Sequence, residues 1–592
     1  KEPAMRTALC ALVATVLLPP LALAADTVSP AETKAWLRHV IPLPQEIQFE
    51  GFVTVKPAEV AVRVRSGGSD VEQAAAALLT RALGTSAAGS PRLELLLGIC
   101  SREGRLGDLQ VPGAEKLATK PNQEQAYVIV PLPPDRLLLT GLDERGVYYA
   151  ALTLAQLLPT KRNADSVTIP LARVLDWPDL GERGGWGGNM GSDFEWMSSR
   201  KLNLAEVQAN LSIAEDGTGT AVFKPEAVEQ GRLHAFRVVP IIPHLEQFGP
   251  LGLFTRLPEV RGVGPKAKLQ GHPYCEVPCS FQPRYQALLA KWMTDLAQVK
   301  GVDTICVWLS ENDLQCGCDQ CLAIGEFAAE TRACVKAWRL AQQAKPDLKL
   351  RILLTQGSYK TNDKVLAEAP PEVQITYYDG GRTYNSSRDP MIYPLLEDFA
   401  RSGRWLGVYP QLTASWRIVC PWSGPQFMKY RMTEFVDKKL SNLCAYATPH
   451  NRLYDFNLTA AAEWGWNAHG RDEREFAAAW ATQRGLKDPE QAADWAVLLG
   501  KVGWDVYGSG VPYPHFFGTA ANMIKQRSAP VLGKGLYRYF PTREHLQQDA
   551  ALAAQATALA DRLGDPAISA ETQVIAGYVA MLGRLYDVAA LI

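Results

Sequence analysis

The chain has 592 residues, with 61 basic and 62 acidic side chains and a formal charge of −1. That length exceeds one compact core and predicts about three units. The even charge balance offers no electrostatic handle for nucleic acid or an anionic membrane surface, so neither is expected as a partner.

Met5-Arg6 is followed by an apolar run, Ala8 to Leu18, then Pro19-Pro20 and Leu21-Ala22-Leu23-Ala24-Ala25. These are the charged, apolar and small-residue regions of a secretory signal over residues 5–24, with a mature start near Ala25. The run is short for a membrane span and is broken by two prolines, so stable membrane insertion is not expected. A periplasmic or secreted protein follows, and in that setting the cysteines outside the signal can form disulfides.

Residues 30–175 read as an α/β unit. Glu59 to Val64 and Leu93 to Leu97 are strand-like, Val71 to Leu83 is helix-like, and a last helix over Glu144 to Leu158 stops at Pro159. Residues 180–485 alternate apolar strands with amphipathic helices. The strands are expected at Gly184–Gly188, Leu204–Leu211, Arg237–Ile242, Thr304–Ser310, Lys349–Thr355, Gln374–Tyr378, Trp405–Tyr409 and Asn442–Ala447. Such alternation predicts a (β/α)8 TIM barrel. Residues 490–592 are Ala-rich and periodic, notably Arg543 to Arg562 and Ala570 to Ile592, and read as a helical domain. The fold class is therefore α/β: an N-terminal α/β domain, a central barrel and C-terminal helices.

The run Thr304-Ile305-Cys306-Val307-Trp308-Leu309 lacks the polar alternation of a half-exposed strand and predicts one buried on both faces. In a parallel barrel, reactive side chains stand just past the carboxyl ends of such strands. Ser310-Glu311-Asn312-Asp313 falls there, followed by Cys316, Cys318 and Cys321.

Three places resemble known families. Ile41-Pro42-Leu43-Pro44-Gln45-Glu46, and Arg145-Gly146 through Leu158 with Asp176-Trp177-Pro178, resemble the non-catalytic α/β domain ahead of the barrel in hexosaminidases and α-glucuronidases. The Ser310-Glu311-Asn312-Asp313 run with its cysteines, preceded by Cys279-Ser280-Phe281-Gln282-Pro283, resembles the bacterial exported family called domain of unknown function 4838. Tyr377-Tyr378-Asp379 and Ala460 to Asn467 resemble that family too. The resemblance implies a glycosidase-like architecture and a carbohydrate substrate.

Glycoside hydrolysis needs an acid for the leaving oxygen and a second group for the oxocarbenium-like centre. By resemblance to hexosaminidases, Asn312 would hold a 2-acetamido group and Asp313 would be the general acid. Glu311, two residues away and on the same face of an extended strand, is the rival acid. Asp379, at the end of the sixth strand before Gly380-Gly381, is the candidate second carboxylate. The same residues also suit turns.

Trp186, Tyr359, Tyr378, Trp405, Tyr409, Trp416 and Trp422 lie near strand ends or in the loops beyond, where aromatic faces can stack on sugar rings or pack the fold. His244 follows the third strand as a candidate hydrogen-bonding partner for a hydroxyl. No catalytic metal or cofactor is expected. Cys279, Cys316, Cys318 and Cys321 suit either a structural zinc or disulfides, and an exported chain favours disulfides. The expected function is a secreted glycoside hydrolase-like protein acting on a polysaccharide or amino-sugar glycan. The alternative is a non-catalytic carbohydrate-binding protein on the same scaffold.

Overall fold

The computed structural model describes residues 26–592 except 85–90, 164, 188, 381, 384–385, 413–421, 447–450, 510–520, 522–523, 529–530, 590 and 592. The expected signal over residues 5–24 and the candidate Trp416 lie outside the described residues. Among the described residues no helix is long and apolar enough to cross a membrane.

The N-terminal unit is a six-stranded mixed sheet in the order Glu46–Val55, Val167–Asp176, Tyr127–Leu132, Arg136–Gly141, Leu93–Ile99 and Val60–Val64. Helices Asp70–Leu83 and Glu144–Leu157 cover one face with a common apolar core that includes Val71, Leu79, Val147 and Leu154. The first begins at Ser69, whose side chain accepts from the Glu72 amide while Glu72 reaches back, a capping box that satisfies otherwise orphaned amides. The second ends at Leu157, and Pro159 falls in the short 3-10 turn that follows.

Eight parallel strands then close into a barrel. They are β1 (Glu182–Trp186), β2 (Leu204–Gln208), β3 (Arg237–Ile242), β4 (Thr304–Trp308), β5 (Lys349–Leu354), β6 (Gln374–Tyr377), β7 (Leu406–Val408) and β8 (Asn442–Tyr446). Neighbours pair in sequence order and β8 pairs with β1. Every barrel strand expected from the sequence is one of these eight, though all but β3 end one to three residues earlier; after Gln208 the chain leaves β2 and forms a hairpin, Asn210–Ile213 with Gly219–Val222.

One interior layer of the barrel is polar. Arg351, fully buried, bonds Glu182 at 2.6 Å and also pairs with Glu206. Gln374 adds an acceptor at 3.0 Å, and the Asn442 amide donates to Glu182 at 2.8 Å. Burial works against the Arg351 charge, but the two carboxylates outweigh it and raise the guanidinium pKa. Tyr409, just past β7, donates to Glu206 and so ties the top of the barrel to this layer.

The motifs that resemble glycosidases beside the barrel converge on one joint. Asp176 is buried and accepts from Lys201 Nζ at 3.1 Å, Tyr127 OH at 2.6 Å, Trp466 Nε1 at 2.8 Å and the Gln45 amide at 2.9 Å. Lys201 is itself buried, which lowers its pKa against the pull of Asp176. These residues therefore weld the N-terminal sheet to the barrel; they do no chemistry at its mouth. Helices Asp455–Trp466, Glu473–Arg484, Pro489–Gly508, Arg543–Leu563 and Pro566–Ala589 complete the chain, with the last three packed together.

Candidate active site

At the carboxyl ends of the strands lies a cavity of about 230 Å³. Its lining draws on all eight strands or the residue just past them: Trp186, Gln208, His244, Trp308 and Glu311, then Leu353, Tyr378, Tyr409 and Tyr446. Strand alternation explains the selection, because Trp186, Trp308 and Tyr446 are last residues whose side chains turn inward. Trp186 stands edge-on to Trp308 at 4.9 Å and lies 4.7 Å from Tyr446, with Tyr409 6.2 Å from Trp308. The result is an aromatic box with a polar rim.

Glu311 is the single carboxylate among the described lining residues. The Tyr378 hydroxyl donates to its Oε1 at 2.7 Å. Burial, with the neighbouring Glu311 charge, pushes the Tyr378 pKa up, so the phenol keeps its proton and remains a donor. His244 is buried against Trp308 at 5.0 Å, and its Nδ1 faces the Leu309 carbonyl at 2.7 Å. A carbonyl only accepts, so Nδ1 carries a proton.

Three buried carboxylates hold the main chain that presents Glu311. Glu330 accepts from the Ser310 amide at 3.0 Å, Glu246 from the Asn312 amide at 3.2 Å, and Glu326 from the Cys316 amide at 2.6 Å. Burial raises all three: Glu330 well above the carboxylate range, Glu326 to about 7, and Glu246 with help from Glu311. From the other side Gly357 packs so closely that an added Cβ would stand 2.7 Å from the Glu311 carbonyl oxygen.

Of the expected site residues, the cavity brings together Trp186, His244, Glu311 and Tyr378, along with Tyr409. Asp313 is exposed and outside the lining. The strand ends at Trp308, so the alternation that would align Asp313 with Glu311 does not continue that far. Asn312 turns its amide onto Glu246 Oε1 at 2.5 Å, away from the cavity. Asp379 closes a turn, accepting from Tyr377 at 3.4 Å and facing Arg382 at 3.8 Å. Tyr359 packs on Tyr393 and Arg382. Trp405 precedes β7 and covers the Arg351 guanidinium, while Trp422 stacks in the helical core on Phe427 and Tyr507.

Gln208, Trp308 and Tyr446 were not expected in the site; their position at strand ends was the available signal. Glu246, Glu326 and Glu330 gave none, since their role depends on which loop they meet. The expected disulfides are not formed among the described residues, where nine cysteines are free thiols.

A larger cleft of about 810 Å³ lies between the N-terminal unit and the barrel helices, lined in part by Arg81, Arg200, Arg452 and Arg484. Its charges are mutually paired, as in Arg200 with Asp455 at 2.8 Å, and no strand end opens into it. The cavity at the barrel mouth is the better candidate.

Residues 38–177 match the model of glycosyl hydrolase family 20, domain 2. No curated protein matches the chain. The fold is similar to solved glycoside hydrolases. One is a family 20 exo-β-N-acetylglucosaminidase from Vibrio harveyi, in complex with N-acetylglucosamine: 12% identity, TM-score 0.51, covering 79% of each chain. Another is a family 138 enzyme targeting pectin rhamnogalacturonan II: 11% identity, TM-score 0.60, covering 90% of this chain and 70% of that one. A third is CpGH84B: 11% identity, TM-score 0.54, covering 93% and 90%. At such identities the likeness is one of fold.

Proposed function

We propose that the protein is a glycoside hydrolase that seats one sugar ring of an amino-sugar glycan in the barrel-mouth cavity, with Glu311 as general acid. The observation that carries this reading is a carboxyl group at the end of β4, facing an aromatic box and held by a phenol that keeps its proton. The ring's apolar face stacks on the Trp186–Trp308–Tyr446 wall. Gln208 and His244 Nε2 take hydroxyl groups. Tyr378 holds Glu311 Oε1, which leaves Oε2 to carry the proton to the departing oxygen.

Stabilising the developing cation needs a second group. Asp379 is poorly placed for it, being turned to Tyr377 and Arg382. With no other carboxylate among the described lining residues, the substrate's own 2-acetamido group supplies the role, which favours an amino sugar. The fold shared with family 20 and family 84 proteins supports this choice, and the leader-like residues 5–24 support action outside the cytoplasm.

The test is turnover on aryl 2-acetamido glycosides and a glycan panel by Glu311→Gln and Asp313→Asn. Glu311→Gln is expected to lose about 10² to 10⁴-fold, and less on substrates with good leaving groups. Asp313→Asn is expected to stay near the parent. A leaving-group-dependent loss confined to Asp313→Asn would overturn the assignment. The lone carboxylate also favours a second reading, a carbohydrate-binding protein without turnover, which predicts calorimetric binding of a glycan that is never cleaved.

A further inference from the structure

Four cysteines meet at one point beside the candidate site. Cys279 precedes the helix Pro283–Ala297, whereas Cys316, Cys318 and Cys321 follow Glu311 in the loop after β4. Their sulfurs all lie within 4.8 Å of one another, and those of Cys279 and Cys318 are 3.6 Å apart. None is bridged. Four sulfurs bound about 2.3 Å from a tetrahedral ion stand about 3.8 Å from each other, so the Cys279–Cys318 pair matches an edge of such a shell and the other sulfurs lie near enough to complete it. Disulfides would instead draw the sulfurs into two bonded pairs at about 2 Å.

The Cys321 main-chain N–H donates to the Cys318 sulfur at 3.4 Å. A thiolate is a far better acceptor than a thiol, and several thiolates packed together repel unless a cation lies between them. Ala267, Val277, Leu314 and Ala329 wrap the cluster in apolar surface. Gly317, between Cys316 and Cys318, donates to the Val263 carbonyl at 2.6 Å, and a Cβ there would stand 3.0 Å from that oxygen. Hence the Cys-x-Cys turn packs tightly against Val263, in the segment between β3 and Cys279. Cys275 is not a member, since its sulfur faces the Asn312 amide at 3.6 Å.

We propose that Cys279, Cys316, Cys318 and Cys321 bind one zinc ion as four thiolates. A closed four-sulfur shell has no open position for a reactant, so the ion is structural. It staples the loop carrying Glu311 to the long segment between β3 and the helix Pro283–Ala297. Its existence does not depend on the reaction proposed for the cavity.

The full chain is purified under reducing conditions and its zinc measured by elemental analysis. About one equivalent is expected. Replacing zinc by Co²⁺ is expected to give the absorption of a tetrahedral cobalt-thiolate centre, a readout unrelated to turnover. The double variant Cys318→Ser/Cys321→Ser is expected to lose the stoichiometric metal and the cobalt bands. If that variant does not fold, Co²⁺ titration of the metal-stripped parent keeps the proposal testable, with saturation at about one equivalent expected. Three results would each overturn it: a parent that takes up neither zinc nor Co²⁺, peptides in which Cys279 is disulfide-linked to another of the four, or undiminished zinc in the folded double variant.

Discussion

Arg351→Met removes the cation from the barrel's polar layer while roughly keeping its volume. Glu206 then loses its cationic partner, and Glu182 retains only Arg237, at 2.6 Å, and the Asn442 amide. Burial pushes the Glu182 carboxyl up, but Arg351 and Arg237 outweigh it and hold it at about 2 rather than 4.5. That depression corresponds to about 3 kcal/mol, shared among its partners. Breaking a buried ion pair by removing one member typically costs about 3–5 kcal/mol, because the survivor is left charged in a dry interior. A loss of about 3–5 kcal/mol is therefore expected near neutral pH.

The pH dependence has a definite sign. In the parent the depressed Glu182 pKa contributes stability above about pH 4.5, and this is lost as the pH falls toward 2. In the variant Glu182 keeps only Arg237 as a cation, so less of that stability is present above the same pH. The difference between the two proteins should therefore be large at about pH 7 and become small only as the pH approaches about 2. Hydrogen exchange of the β4–β6 amides reads barrel opening without assuming that the whole chain unfolds at once. Protection should fall by about 10² to 10⁴-fold at neutral pH, after correction for intrinsic rates. Unchanged protection, or an equal loss at both pH values, would refute the reasoning.

Lys201→Met should cost about 3 kcal/mol, the low end for a broken buried pair, because Tyr127, Trp466 and the Gln45 amide still donate to Asp176; the denaturation midpoint checks it. Gly357→Ala pushes a Cβ onto the Glu311 carbonyl, so turnover should fall by about 10²-fold with little change in the melting temperature. Trp186→Ala opens the aromatic wall and should weaken glycan binding by about 10-fold or more, as measured by calorimetry.

Much of the fold was legible because burial and periodicity are local signals. The apolar run Thr304 to Trp308 could only be a doubly buried strand, and its place among seven similar runs separated by helices implied a closed parallel sheet. The helix that ends before Pro159 was equally local. Every barrel strand but β3 ends one to three residues before its expected end, because hydrogen-bond partners decide where a strand stops: Ala209 still bonds to β3, yet the chain then turns into a hairpin.

The site was legible only as far as strand ends were. Trp186, His244, Glu311 and Tyr378 follow from counting along the chain, and the closeness of Cys316, Cys318 and Cys321 follows from their spacing. Choosing between Glu311 and Asp313 did not, because both are acidic and two residues apart. The chain leaves its extended conformation at Trp308, and Glu330, Glu246 and Glu326 then set the path of the loop. Those three clamps come from distant positions, so their effect on Glu311 is a tertiary fact. The same holds for the sulfurs: Cys279 approaches the others across 37 residues or more of chain, and only packing brings them within 4.8 Å of one another. Residue type and periodicity determined the elements and the kind of chemistry available. Which carboxylate faces the cavity, and that four thiols converge without bridging, were decided by long-range contacts that no local pattern encodes.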